Sequence, residues 1–334
     1  MAKILVTGGA GYIGSHCTLE LLKKDFEVCV FDNLYSGHIE IVNELCKNKN
    51  FSFIQGDLKN YDEINNVFRQ NSFDTVIHFA GHIEVGESVI NPQKYYYNNI
   101  YSALNLFRAM TENNVKKIVF SSTAAIYGNP KYTPIDEEHP KNPINPYGKT
   151  KLYIEEILSD YDTAYGMKSI KLRYFNVAGA NADGITGEWH NPETHLIPNI
   201  LKSSLGEQKE FCLFGTDYKT NDGTCIRDYV NVEDLAEAHI LATEYLMKTN
   251  KSEEINLGTN NGNSVKEVFE ICEKITGKKI PVKICPRRAG DSEVLVADNK
   301  KAKSILNWTP KRTLEQSIQT AFDWEKIKQK KYMQ

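Results

Sequence analysis

The chain has 334 residues, 41% of them hydrophobic and 25% charged, with 40 basic and 43 acidic residues for a formal net charge of −3. A chain of this length buries a substantial core, as one large domain or two cooperating ones, and nothing in the balanced charge suggests a nucleic-acid or polyanion surface. Seven cysteines (Cys17, Cys29, Cys46, Cys212, Cys225, Cys272, Cys285) are odd in number and scattered. With no Cys-x-x-Cys pair and no zinc-type spacing, reduced thiols in a cytoplasmic protein without a metal are expected.

Met1-Ala2-Lys3 leads straight into the apolar run Ile4-Leu5-Val6, broken at Thr7-Gly8-Gly9, too early for a signal peptide. No run approaches the length of a membrane span. Glycines then crowd at Gly8, Gly9, Gly11 and Gly14, and a helical pattern opens near Tyr12 and passes Leu19, Leu21 and Leu22. A second strand, Glu27 to Phe31, ends in Asp32-Asn33. Strand, glycine turn, helix, strand and acid is the context a dinucleotide fingerprint requires. Two spacings fit, Gly9/Gly11/Gly14 and Gly8/Gly11/Gly14. In either, missing side chains let backbone and helix N-terminus approach a pyrophosphate. Asp32 can accept from both adenosine ribose hydroxyls and would repel a 2′-phosphate, favouring NAD over NADP.

Alternation continues with strands at Phe51 to Gln55, Thr75 to Phe79, Lys117 to Phe120 and Ser169 to Arg173, separated by helical patterns. This is an α/β, Rossmann-type doubly wound parallel sheet, with ligands expected where the strands end. Gln93 to Asn113 is apolar on more than one face (Tyr95, Tyr96, Tyr97, Tyr101, Leu104, Leu106, Phe107, Met110). A helix on a sheet needs one buried stripe, so the surplus suggests a second copy of the chain or the chain's own other domain. After Asn176 the texture becomes irregular, with helices expected at Thr194 to Leu205, Val232 to Met247 and Ser264 to Thr276. Short strands are expected at Phe211 to Phe214 and Ile280 to Ile284. We expect a dinucleotide domain over 1–175 and a smaller α+β substrate domain over 176–334, with segments of the second returning to the first.

Tyr147 and Lys151 stand four apart where Pro146 starts a helix, so phenol and ammonium share one face. Bringing a tyrosine from its usual pKa to about 7 takes roughly 4 kcal/mol. One cation at about 5 Å, at an effective dielectric of about 20, supplies roughly 3 kcal/mol. A tyrosinate therefore needs a second positive charge, such as that of oxidised nicotinamide.

Taken together, the motifs Thr7-Gly8-Gly9-Ala10-Gly11-Tyr12-Ile13-Gly14, Asp32-Asn33-Leu34, His78-Phe79-Ala80-Gly81, Val85-Gly86-Glu87-Ser88, Phe120-Ser121-Ser122-Thr123, Pro146-Tyr147-Gly148-Lys149, Arg173-Tyr174-Phe175-Asn176, Arg227-Asp228-Tyr229 and Pro286-Arg287-Arg288-Ala289-Gly290-Asp291 carry a resemblance. The chain resembles the extended short-chain dehydrogenase/reductases and, within them, the UDP-glucose 4-epimerases. That resemblance implies tightly held NAD+, reduced and reoxidised in each turnover, and a 4-keto sugar that rotates between the two half-reactions. It implies Tyr147 as base, Lys151 as holder of the nicotinamide ribose and modulator of the phenol, and Thr123 as proton relay. It places Gly8, Gly11, Tyr12, Ile13, Gly14, Asp32, Asn33, Asp57, Leu58, Phe79, Ala80, Gly81, Asn98 and Phe175 at the cofactor, beside Thr123, Tyr147 and Lys151. Asn176, Leu196, Phe214, Arg227, Arg288 and Asp291 are implied to hold uridine diphosphate, and the helices over 93–113 and 147–165 to form a homodimer.

Three positions depart from familiar members. Ile83 stands where some carry a lysine near the cofactor phosphates. His195 replaces an asparagine, and either donates to the diphosphate or packs. Leu295 falls where a bulky tyrosine narrows the sugar pocket, leaving room for a 2-acetamido group and hence for UDP-N-acetylglucosamine. The competing readings are a nucleotide-sugar dehydratase or decarboxylase and a non-catalytic NAD-binding regulator. Acidic groups that serve those eliminations are replaced by Ala124 and Ala125, which exchange no protons, and a regulator has no use for the Thr123, Tyr147 and Lys151 set.

Overall fold

The computed structural model describes residues 1–288 and 292–332. Its first half runs β1 (Lys3–Thr7), α1 (Tyr12–Lys23), β2 (Glu27–Asp32), α2 (Ile39–Leu45), β3 (Phe51–Gln55), α3 (Tyr61–Gln70) and β4 (Thr75–His78). Next come α4 (Val85–Ile90), α5 (Pro92–Tyr95), a π-helical turn (Tyr96–Tyr101), α6 (Ser102–Glu112), β5 (Lys117–Thr123), α7 (Pro146–Tyr165) and β6 (Lys168–Tyr174). The remainder is β7 (Asn176–Ala178), α8 (Leu196–Leu205), β8 (Phe211–Phe214), β9 (Ile226–Arg227), β10 (Tyr229–Asn231), α9 (Val232–Thr249) and β11 (Glu253–Leu257). It closes with β12 (Asn263–Ser264), α10 (Val265–Thr276), β13 (Val282–Cys285), β14 (Val294–Leu295), α11 (Lys300–Leu306) and α12 (Leu314–Tyr332).

Seven strands form one parallel sheet in the order β11-β6-β5-β4-β1-β2-β3. Side chains alternate between its faces, and both faces are buried, as a parallel sheet demands. Ile4, Val6, Val28 and Val30 pack with Leu21 of α1 and with Leu235 and Ile240 of α9. Leu5, Cys29 and Phe31 pack the other way, with Val67 of α3, Phe107 of α6 and Ile154 of α7. A separate core joins Ile200 of α8, Leu213 of β8, Val268 of α10 and Ile318 of α12.

Local signals act where expected. Pro146 sits in the first turn of α7 behind Asn145, whose side chain accepts from the Gly148 N–H, and Gly166 closes the helix in the left-handed region. Ser264 and Glu267 form a capping box at the start of α10.

Three local expectations change. β5 continues through Ser121, Ser122 and Thr123, because each pairs with β6 as far as Tyr174. The stretch over 93–113 is interrupted by its π-helical turn, whose wider register turns the exposed face. β11 had no counterpart among the expected strands: its Glu253-Glu254 start is polar because it lies at the sheet edge, beside Lys171 and Arg173.

Candidate active site

Gly8 turns in the left-handed region (φ +77°), and a Cβ there would lie 2.5 Å from the Ala80 nitrogen. A Cβ on Gly14 would lie 2.2 Å from the Gly8 carbonyl oxygen, so α1 packs on β1 only with glycine there. Gly11 differs: its backbone is extended, and a Cβ would touch the protein no closer than 3.5 Å. The protein itself has room for a side chain at Gly11, but the residue faces the cavity. Gly11 is also the N-cap of α1 and offers no side-chain capping bond, which leaves the first amides of the helix for a ligand. Of the two spacings, Gly8/Gly11/Gly14 is the one with a turn glycine, a ligand-facing glycine and a packing glycine.

Asp32 ends β2 and is 8% exposed. Its Oδ2 accepts from the Ala10 N–H (3.0 Å) and its Oδ1 from the Leu34 N–H (2.8 Å), which orients the carboxylate. Burial raises its pKa, with the two backbone donors pulling against that rise. Each oxygen keeps a lone pair for a ribose hydroxyl. Asp57, on the next strand end, is tied to Asn33 by a hydrogen bond of 3.1 Å.

A cavity of about 580 Å³ opens over the carboxyl ends of β1, β2, β4, β5 and β6, a volume that suits a small-molecule site. Tyr147, from the first turn of α7, lines it, and Thr123, from the end of β5, faces it. The Thr123 Oγ1 accepts from the Ala125 N–H at 3.1 Å, which leaves its O–H directed to the Tyr147 phenol. Burial pushes Tyr147 up to about 12, and the Thr123 hydrogen bond works against the rise. Its ring is partly open to the cavity, so solvent moderates that effect. Lys151 is 3% exposed; its Nζ donates to the Ser121 carbonyl at 2.8 Å and lies 5.0 Å from the Phe120 ring. Burial lowers it to about 8, with Glu155 opposing, so it is still mostly protonated at neutral pH. In the protein without its cofactor the phenol is therefore not drawn down to neutrality, because burial outweighs the Thr123 hydrogen bond.

All the expected cofactor residues meet in this one cavity: Gly8, Gly11, Tyr12, Ile13, Gly14, Asp32, Asn33, Asp57, Leu58, Phe79, Ala80, Gly81, Asn98, Thr123, Tyr147, Lys151 and Phe175. Of the expected substrate residues, Asn176, His195, Leu196, Arg227 and Leu295 line it too. Leu295 is paired in register with Arg227 between β14 and β9, which puts a small apolar side chain beside a cation. Phe214 and Arg288 do not line the cavity but meet each other, the guanidinium 4.7 Å from the ring centre. Asp291 lies outside the described residues. Ile83 lines the cavity, and the neighbouring cation is Lys94, paired with Glu87 at 2.6 Å.

Glu188 and His190 also line the cavity and were not foreseen. Tyr12 sits against His190, ring centres 6.2 Å apart, and donates to the Gly179 carbonyl at 2.6 Å. Burial opposes a charge on His190 and His195, but Glu188 and Glu193 overcome it and raise them to about 9 and about 10. The signal was available as the repeated Glu-x-His of Glu188-Trp189-His190 and Glu193-Thr194-His195, inside a stretch with no helical or strand period to draw the eye.

Comparison with known proteins bears on this arrangement. The family model for GDP-mannose 4,6 dehydratase matches residues 5–321. The chain is 51% identical over 331 residues to the UDP-glucose 4-epimerase of Lactobacillus helveticus, covering 99% of each. It matches the crystal structure of UDP-glucose 4-epimerase from Bifidobacterium longum in complex with NAD+ and UDP with a TM-score of 0.94 and 40% identity, over 98% of each chain. It also matches the UDP-Glc/GlcNAc 4-epimerase of Campylobacter jejuni with a TM-score of 0.86 and 44% identity, over 98% of this chain and 100% of that one.

Proposed function

The chain belongs to the UDP-glucose 4-epimerases, and from that membership we propose that it inverts C4 of UDP-hexoses, interconverting UDP-glucose and UDP-galactose with NAD as cofactor. The observation that carries the reading is one cavity holding the glycine turn, Asp32, and the Thr123, Tyr147 and Lys151 set. Incubating the purified protein with UDP-galactose and detecting UDP-glucose tests it; absence of interconversion by protein that contains NAD would overturn it. The dehydratase for which the matching family model is named is not favoured, since Ala124 and Ala125 follow Thr123 and offer no proton donor.

NAD+ held by the glycine turn and Asp32 would supply a reversible hydride acceptor and a positive charge. Tyr147, as phenolate, takes the proton of the sugar 4-hydroxyl and later returns it. Thr123 hydrogen-bonds the reacting oxygen and relays its proton to the phenol. Bringing Tyr147 from about 12 to neutrality asks for about 7 kcal/mol. That demand falls on the charge the cofactor would add beside the protein's own groups, so the base is competent only in the holoprotein. The 4-keto sugar presents its opposite face before reduction, which is what inverts the centre.

Residues 1–175 form the dinucleotide part and 176–334 the UDP-sugar part, the latter lending α9 and β11 to the sheet. We assign the uridine diphosphate to Asn176, Leu196 and Arg227, which line the cavity, and to the Phe214–Arg288 pair outside its lining; guanidinium forks suit phosphate oxygens. Gly11→Val tests the cofactor assignment. The folded protein should persist by far-UV circular dichroism, because the position is extended and uncrowded, while NAD content falls at least tenfold. Wild-type NAD content in the variant would defeat the assignment.

Leu295 leaves the sugar pocket open to a 2-acetamido group, so the protein also turns over UDP-N-acetylglucosamine. Leu295→Tyr should cut that turnover by roughly tenfold or more while sparing UDP-glucose; equal failure of both proteins on the acetylated sugar would remove the assignment.

Tyr97 (58% exposed), Tyr101 (41%), Leu104 (38%) and Tyr153 (41%) form an uncovered apolar face across the π-helical turn, α6 and α7. A second copy covers it, making a homodimer. Leu104→Glu should shift the mass by light scattering from dimer to monomer, and an unchanged mass would reject this face. No helix among the described residues is long and apolar enough to cross a membrane. The seven cysteines are all free thiols, which suits the reducing cytoplasm where we place the protein.

A further inference from the structure

Two short Glu-x-His segments converge on the cavity wall between β7 and α8. Glu188 and His190 line the cavity, whereas Trp189 between them does not. Trp189 is stacked on His38 with ring centres 3.8 Å apart. Glu193 and His195 repeat the spacing five residues later. One donor atom from each of the four residues falls within 4.8 Å of every other.

The four histidine–carboxylate separations bracket those around a shared ion, the shortest being that of a direct ion pair. His195 Nδ1 lies 2.7 Å from Glu188 Oε1 and 3.3 Å from Glu193 Oε1; His190 Nδ1 lies 3.4 Å from Glu188 Oε1 and 3.7 Å from Glu193 Oε2. Bonds of about 2.0–2.2 Å to a tetrahedral zinc ion set ligand atoms about 3.3–3.6 Å apart. Despite their closeness, both ring nitrogens and Glu193 Oε2 are buried and make no hydrogen bond of good geometry. Buried polar atoms of this kind ordinarily find a partner. Glu193 is held for the purpose: its side chain is 2% exposed, and its Oε1 accepts from the Thr194 N–H (2.8 Å) and the His195 N–H (2.9 Å). That pins the carboxylate with Oε2 turned toward His190, the arrangement outer hydrogen bonds impose on metal ligands.

We propose that Glu188, His190, Glu193 and His195 bind one divalent transition-metal ion of the zinc type. Two imidazoles and two carboxylates match the preferred donors of that ion, and the site is electrically neutral when filled. The ion also ties together the loop that delivers Leu196 to the cavity, so it stabilises the wall rather than taking part in the chemistry.

Protein stripped with chelator and desalted, then titrated with Zn2+ alone, should take up one equivalent at micromolar concentration, by calorimetry and by elemental analysis after gel filtration. Co2+ in its place should give the intense visible absorption of a four-coordinate site. Glu193→Gln and His190→Gln should each lower uptake at least tenfold with far-UV circular dichroism unchanged. Cys212→Ser/Cys285→Ser should have no effect, which excludes thiol capture. No stoichiometric uptake, or equal uptake by the Glu193 and His190 variants, overturns the proposal. Should a variant not fold, histidine nitrogen NMR on the wild type decides. Resonances of the two Nδ1 atoms that move on adding Zn2+ support the site; two doubly protonated rings indifferent to Zn2+ mean imidazolium–carboxylate pairs only, and sink it.

Discussion

Replacing Tyr147 by phenylalanine is expected to cut kcat for UDP-galactose roughly a thousandfold, about 4 kcal/mol of barrier, while NAD stays in the purified protein. The change removes one oxygen from a ring that lines the cavity and leaves Gly11, Asp32 and the α1 N-terminus intact. The loss belongs to kcat because the missing atom accepts a proton only as the reaction proceeds. Lys151→Met separates charge from structure. Activity requires the phenolate, so it is present above the tyrosine pKa of the holoprotein and lost as pH falls below it. Removing a cation worth roughly 3 kcal/mol raises that pKa, and the acid limb of the rate profile should move to higher pH by about 2 units. A Tyr147→Phe protein within tenfold of wild type, or an acid limb that Lys151→Met leaves in place, would end the proposed role of this pair.

Arg173→Met is expected to destabilise the fold by about 3–5 kcal/mol, lowering the melting temperature by roughly 4–7 °C. Arg173 is fully buried, with its Nε 2.9 Å from Glu155 Oε1 and its Nη2 2.6 Å from Glu155 Oε2. The same Nη2 pairs with Glu254 on β11, and Nη1 donates to the Tyr127 hydroxyl at 3.1 Å. Methionine fills the volume but strands the Glu155 carboxylate, 2% exposed, without its counter-ion. The Glu155→Leu/Arg173→Met double variant should recover part of the loss, because the stranded charge goes with its partner. Burial works against ionisation of Glu254, but Arg173, Lys171 and Lys141 overcome it and draw its pKa down to about 2. That is below the unfolded value of about 4.3, so its contribution is present above that pH and fades as pH falls toward 2. The acid limb of the wild-type stability curve should therefore flatten in Glu254→Gln. Thermal melts of the variants check all three expectations, and an Arg173→Met melt within 2 °C of wild type would show the pair to be idle.

Sequence alone determined whatever is written in contiguous residues. The glycine turn, Asp32 after β2, the Asn145-Pro146 start of α7 and the four-residue step from Tyr147 to Lys151 are backbone facts. They depend on sterics and helical period, which neighbours along the chain settle between themselves. The alternation of strand and helix likewise forced a parallel sheet, and its strand ends forced the cavity to one edge. Tertiary structure decided what depends on partners far apart in the chain. β11 joins the sheet although its glutamates read as surface, because Arg173 and Lys171 wait beside it eighty residues earlier. Which side of the balance holds the Tyr147 proton was equally out of reach, since burial is a property of the assembled wall and spacing to a lysine is not. Coulomb and desolvation energies depend on distance through space, and a sequence records only distance along the chain.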